Sequence, residues 1–165
     1  MSECESFNPI IDNESKILIL GSMPGRKSLE LQQYYAHPQN RFWRLLAQLL
    51  EEGVPQNYQE KQNMLLRQHI ALWDTLAYCE REGSLDSNIK NEQPNAILPL
   101  LEEHKQLRAI FCNGSKAAAA FKKYFAKGLP AGVAVYYLHS TSPANARMSL
   151  EALAAEWQVI LQYLR

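Results

Sequence analysis

Several short segments of this 165-residue chain carry residue types suited to holding a flat, hydrogen-bonding ligand beside an anion. Gly21-Ser22-Met23-Pro24-Gly25 has two glycines that let the backbone take unusual angles and approach a ligand closely, although an ordinary strand-to-helix turn has the same composition. It is neither a GxGxxG fingerprint nor a Walker loop, so a nucleoside-triphosphate site has no support. In Tyr34-Tyr-Ala-His-Pro-Gln-Asn-Arg-Phe-Trp43, Pro38 fixes the approach of the chain and Asn40 falls where a helix cap would sit. Phe42 and Trp43 are assigned to the core, whereas Tyr35 precedes the helix and is the better stacking surface. Asn113 follows an apolar run, where it either caps the next helix or hydrogen-bonds the edge of a heterocycle. His139-Ser-Thr-Ser-Pro-Ala-Asn145 reads either as a turn leading into a helix or as a phosphate-contacting loop. Asp74, followed by Thr75, reads as a cap or turn residue. No second carboxylate joins it at these strand ends, so a paired-carboxylate glycosidase site is not expected. No GxSxG elbow supports a serine nucleophile.

The elements that must position these segments follow from the hydrophobic pattern. Lys16–Leu20, His69–Trp73, Arg108–Cys112 and Val133–Leu138 are nearly continuous apolar runs, as in strands buried on both faces of a parallel sheet. Helical spacing is read over Asn40–Leu50, over Ser115–Phe125 with Ser115 as cap, and over Leu150–Leu164. Asn95–His104 is a weaker helix because Pro99 limits where it can start. Alternating strands and helices predict an α/β fold. The expected form is a three-layer α/β/α sandwich on a central, mostly parallel four-stranded sheet, a single domain over residues 1–165. In such a sheet all four carboxyl ends share one edge, so the chemistry-bearing segments converge there.

Composition narrows the class. The 17 Lys+Arg balance the 17 Asp+Glu, and 47% hydrophobic with 21% charged residues excludes a disordered chain. No run approaches the ~18 apolar residues of a membrane span, and the polar start, Met1 to Asn8, reads as no targeting segment. Cys4, Cys79 and Cys112 are too few for a four-cysteine cluster, and they lack the spacing of a disulfide framework or a metal site. His37, His69, His104 and His139 are scattered, so neither metal nor cofactor is expected. Zero net charge argues at first against a nucleic-acid partner.

Taken together, the segments resemble the uracil-DNA glycosylase superfamily. Gly21-Ser-Met-Pro-Gly25 resembles its first active-site motif, Tyr35-Ala-His-Pro-Gln-Asn-Arg-Phe-Trp43 resembles the mismatch-specific uracil glycosylases, and Ser140-Thr-Ser-Pro-Ala-Asn145 resembles the loop that presses into DNA. Order and spacing match from about Lys16 to Ala146, and the combination is most similar to the hypoxanthine-DNA (deoxyinosine) glycosylase branch. Two positions depart from related branches. Met23 stands where mismatch-specific enzymes have a water-positioning Asn, and Ser140 stands where the second motif often begins with His, with His139 one residue earlier.

The resemblance implies a monofunctional DNA glycosylase of base-excision repair, hydrolysing the N-glycosidic bond of deaminated bases. Asn40 is the implied catalytic residue, holding a water below the sugar. Gly21, Ser22, Met23, Pro24, Gly25, Tyr35, His37 and Asn113 are the implied base-binding set. Tyr35 stacks on the flipped base, while backbone amides of Met23 to Gly25, with Asn113, read its oxo edge. Ser140, Ser142, Pro143, Ala144, Asn145 and Arg147 are the implied DNA contacts. The implied partner is DNA containing a deaminated base, acted on by a cytoplasmic, nucleoid-associated prokaryotic monomer with no membrane contact. A uracil or mixed-specificity glycosylase, or a non-catalytic nucleotide- or phosphate-binding α/β protein, are the alternatives. The neutral charge then divides. Arg26, Lys27, Arg41, Arg44, Lys116 and Arg147 follow the motifs, with Glu51-Glu52 and Glu102-Glu103 elsewhere, so one basic edge is expected.

Overall fold

The computed structural model describes residues 2–165. Its strands, in chain order, are β1 (Ser2–Glu5), β2 (Ile17–Gly21), β3 (Ile70–Asp74), β4 (Leu76–Arg81), β5 (Lys90–Pro94), β6 (Ala109–Asn113) and β7 (Ala134–Leu138). The apolar runs form the expected parallel four-stranded sheet, in the order β3-β2-β6-β7. β2, β3 and β6 begin and end one residue later than the runs suggest, and β7 begins one residue later. The shift matters: Gly21, Asp74 and Asn113 are the last residues of strands rather than the first of loops, so the sheet's hydrogen bonding holds their backbones.

Alternate residues of the buried strands face opposite layers, the period-two geometry of a pleated sheet. Ile17, Ile19, Ile70, Leu72 and Phe111 meet α2 (Phe42–Leu49), α3 (Tyr58–Arg67) and α6 (Leu150–Trp157). Leu18, Leu20, Ala71, Ile110 and Cys112 meet α4 (Ile97–Glu103) and α5 (Ser115–Tyr124) on the other face. Phe42 and Trp43 are core residues, as expected, and Trp157 and Phe121 are fully buried. Each such side chain contributes about 1.5–3 kcal/mol. The short α1 (Arg26–Leu31) follows the first loop. No helix among the described residues is long and apolar enough to cross a membrane.

Two helices differ from expectation at their ends. Ser115 does not cap α5. Gly114 holds that position at φ +99, and a Cβ there would lie 3.1 Å from Ser140 Cβ, so glycine permits both the backbone turn and the contact between two loops. Pro99 sits in the first turn of α4, where its missing N–H has no intrahelical partner, so it limits where the helix starts, as expected, without breaking it. The C-terminal segment is α-helical only to Trp157 and continues as a 3-10 helix over Gln158–Tyr163.

An addition is the antiparallel sheet β1-β4-β5. The chain leaves the parallel sheet at Asp74 and enters the second sheet at Leu76, with Thr75 between them. Thr75 donates from both its backbone N–H (2.8 Å) and its hydroxyl (3.1 Å) to Gly21 O. Asn95 Nδ2 donates to the carbonyls of Asp74 (2.9 Å) and Leu76 (3.1 Å). The junction carrying Asp74 is therefore pinned from both sides.

Candidate active site

The carboxyl edge of the parallel sheet opens into a cleft of about 850 Å³. Gly21 to Gly25, Tyr35, His37, Asn40, Asn113, Ser140, Ser142, Pro143, Ala144 and Asn145 all line it, whereas Arg147 lies off its wall. The convergence expected from topology is thus met by residues from four separate parts of the chain.

A continuous chain of hydrogen bonds crosses the cleft. Asn113 Oδ1 accepts the Thr141 N–H at 3.0 Å, and its Nδ2 donates to Tyr35 Oη and Thr141 Oγ1, each at 3.1 Å. Thr141 Oγ1 donates in turn to Asn40 Oδ1 at 2.9 Å. Asn40 Oδ1 also accepts the Phe42 N–H at 3.0 Å. The backbone donors fix the orientation of both amides. A carbonyl oxygen has two lone pairs, so Asn40 Oδ1 is saturated and only its NH2 can bind a ligand. Asn113 has both amide hydrogens in use, leaving one acceptor lone pair. Its side chain is not a helix cap, and it has only an acceptor position left to offer a ligand.

Thr141, fully buried at the centre of this chain, was not among the expected site residues. Its neighbours Ser140 and Ser142 have the same kind of hydroxyl, so residue type alone could not single it out.

Tyr35 sits at φ +52, a left-handed conformation uncommon outside glycine. Its ring stacks on Phe42 with centroids 4.0 Å apart, so only the opposite ring face can meet a ligand. Burial pushes its phenol pKa up, keeping the hydroxyl neutral. His37 is exposed, and its Nδ1 accepts the Gln39 N–H, which makes it a turn residue as well as a wall residue.

The first loop is braced from behind. A Cβ on Gly21 would lie 2.6 Å from Asp74 Oδ1 and 2.9 Å from Tyr35 Oη, so glycine is what lets these groups pack over the strand end. Ser22 Oγ donates to Asp86 Oδ1 at 2.7 Å. Met23's side chain packs with Cys4, Leu76 and Cys79. Buried Arg81 donates to Pro24 O at 2.6 Å. Pro24 has no amide hydrogen, so of the stretch expected to donate to a base only the Met23 and Gly25 amides can do so.

Asp74 is a further residue that the reading as a cap or turn missed. It is 3% exposed, lines the cleft, and its Oδ2 has no partner among the described residues. Burial first, then the Asp86 carboxylate, pushes its carboxyl up to about 8 against the opposing pull of Arg81. The signal available in sequence was its position as the lone carboxylate at a strand end.

The last loop is shaped by its own polar groups. Ser140 Oγ accepts the Ser142 N–H, Ser142 Oγ accepts the Ala144 N–H, and Asn145 Nδ2 donates to Ser140 O. Those amides are therefore not offered to a phosphate, but the two hydroxyl hydrogens remain as donors. Arg41 donates to the carbonyls of Ser142 (3.2 Å), Asn145 (2.9 Å) and Met148. His139 Nδ1 pairs with Glu156 Oε2 at 2.7 Å.

The basic edge is smaller than expected. Arg41 is spent on the loop carbonyls, Lys116 pairs with Glu92, and Lys27 lies 3.9 Å from Glu30. Arg26, Arg44 and Arg147 are exposed and form no ion pair among the described residues.

Known proteins are similar to this chain along nearly its whole length. A hypoxanthine DNA glycosylase of Methanosarcina barkeri is 38% identical over 154 residues, covering 93% of this chain and 94% of that protein. A hypoxanthine DNA glycosylase of Methanosarcina acetivorans is 36% identical over 158 residues, covering 95% and 97%. A solution NMR structure of a candidate uracil DNA glycosylase from Methanosarcina acetivorans matches with a TM-score of 0.85 at 35% identity, covering 99% of each chain. The family model for the uracil DNA glycosylase superfamily spans residues 9–165, from the strand-edge bridge at Ile10 through the cleft loops to the last helix, and the chain belongs to that superfamily.

Proposed function

We propose that this chain is a monofunctional DNA glycosylase of base-excision repair that releases hypoxanthine from deoxyinosine in DNA, acting as one domain and as a monomer at the nucleoid. The observation that carries the reading is the Tyr35–Asn113–Thr141–Asn40 hydrogen-bond chain, placed across a cleft roomy enough for a flipped nucleoside. Its family membership and the names of its relatives support the same conclusion.

In this reading the free face of Tyr35 stacks on the base. The remaining Asn113 Oδ1 lone pair accepts the lactam N–H, and the Met23 and Gly25 amides meet the lactam oxygen. The glycosidic bond breaks with the sugar turning cationic. Asn40 holds a water by donating from Nδ2 to one of its lone pairs, leaving the other to attack. A nearly formed cation needs no stronger nucleophile. No lysine forms a Schiff base, so the product is an intact abasic site. Ser140, Ser142, Pro143, Ala144, Asn145 and Arg147 meet the duplex around the vacated stack.

The test is a set of duplexes containing inosine, uracil or xanthine, scored for alkali-labile abasic sites without metal. Inosine is expected to be cleaved fastest. Preferential uracil release transfers the reading to a uracil glycosylase, and no release from any duplex leaves a binding protein.

Two further outcomes are expected. Tyr35→Ala lowers base release by about 1–3 kcal/mol in single-turnover measurements, the range of one base–aromatic stack, and an unchanged rate returns Tyr35 to a packing role. Binding to undamaged duplex has a shallow salt dependence. Three unpaired arginines predict a log–log slope of about −3, and a slope implying about ten neutralised phosphates contradicts the small basic edge.

A further inference from the structure

We propose that Asp74 is the acid that protonates the departing base. The inference rests on the glycosylase reading above and adds a catalytic group to it.

Asp74 ends β3 on the cleft wall, almost wholly buried, with Oδ2 lacking a partner among the described residues and Oδ1 crowded against Gly21. The charged and titratable groups around it come from each neighbouring element. They are Tyr34 and Tyr35 from the segment after α1, Tyr58 from α3, Arg81 from β4 and Asp86 from the loop after β4. The adjacent end of β2 contributes Gly21, which has no titratable group. Arg81 gives its hydrogen bond to Pro24 O rather than to the carboxyl, and Asp86 is engaged by Ser22. Tyr34 and Tyr35 are both pushed upward by burial and hold their protons. Asp74 is thus the buried cleft group that carries a transferable proton at neutral pH. A carboxyl held neutral until about 8 is in the correct state to act as an acid there. The histidines of the wall are differently placed: His37 is exposed in its turn and His139 is tied to Glu156.

The bond from C1′ to the base nitrogen breaks, and its electron pair stays with the base. The Asp74 proton moves to a ring nitrogen, so the base leaves as a neutral heterocycle. The sugar cation takes the oxygen of the water, and one water proton returns to the Asp74 carboxylate.

The experiment is a pH profile of single-turnover base release from an inosine duplex. The wild-type rate is expected to be level up to about pH 8 and to fall tenfold per unit above it. Asp74→Asn keeps the shape and hydrogen-bonding capacity of the neutral acid but has no acidic proton. It should lower release on the order of 10²–10⁴-fold, lose the alkaline fall, and still bind a duplex holding an uncleavable inosine analogue. It should regain the wild-type rate on 7-methyldeoxyinosine, whose base departs neutral without a proton.

Thermal melting controls for folding. The folded carboxyl keeps its proton from its ordinary value of 3.8 to about 8, while the unfolded one ionises, so wild-type stability falls as pH rises through that window. Asp74→Asn should therefore melt above wild type near neutral pH and converge with it near pH 4. A wild-type profile level through about pH 9, or an Asp74→Asn rate within about threefold of wild type, overturns the proposal. Failure of wild type to release any base overturns the glycosylase reading itself, which the same assay displays separately.

Discussion

Asn40→Ala is expected to lower base release on the order of 10²–10³-fold, the scale on which removal of one preorganised donor acts. The structure also says why alanine is an incomplete test. Asn40 Oδ1 receives both the Phe42 N–H at the start of α2 and the Thr141 hydroxyl. Deleting it costs about 1 kcal/mol of stability as a lost helix-end partner, besides any loss of chemistry. Asn40→Asp separates the two roles. Aspartate keeps an oxygen for Phe42 and Thr141 but replaces the NH2 donor with a second acceptor. The expected result is a near-normal melting temperature with activity close to that of Asn40→Ala. Single-turnover rates beside melting curves decide it, and a fully active Asn40→Asp would falsify the donor role.

Thr141→Val is expected to lower base release as well, although Thr141 itself meets no substrate. Valine matches the shape of threonine but removes a hydroxyl that accepts from Asn113 and donates to Asn40. Buried Asn113 and half-buried Asn40 are each left short of a bond, at a cost of about 1–3 kcal/mol. The larger consequence is positional. Asn40 and Asn113 lose the group that sets their spacing, and a misplacement of about 1 Å lowers rate on the order of 10²-fold. Thr141→Ser keeps the hydroxyl and should recover most of the rate. If valine and serine variants are equally active, the hydrogen-bond chain is packing alone.

Much of the molecule is legible in its sequence because burial writes a strong pattern. β2, β3 and β6 are covered on both faces and read as unbroken apolar runs, and their convergence on one edge follows from topology. The second sheet leaves no such mark. β5 is Lys-Asn-Glu-Gln-Pro, largely exposed, and its pairing with β4 has register shifts, so neither burial nor alternation announces it. The cleft shows the same division. Tyr35 and the first loop stand out by type and spacing, and Asn40 by the family resemblance that its segment carries. Thr141 and Asp74 matter through the company they keep, and a residue's partners across the fold are not written at its own position. Arg41 errs in the other direction. Its charge suggests DNA contact, yet its guanidinium turns inward onto carbonyl oxygens.

That inward turn ties two parts of the enzyme into a single lever. Arg41 grips the loop proposed to enter the duplex, and the preceding residue, Asn40, is the one proposed to hold the water. A strain applied to the loop by a resisting base pair would reach Asn40 through one peptide unit. A well-paired duplex would push the water out of line at the moment it pushes back on the wedge, so a base that fails to flip also fails to react. Fidelity of this kind is mechanical, and it needs no contact with the base at all.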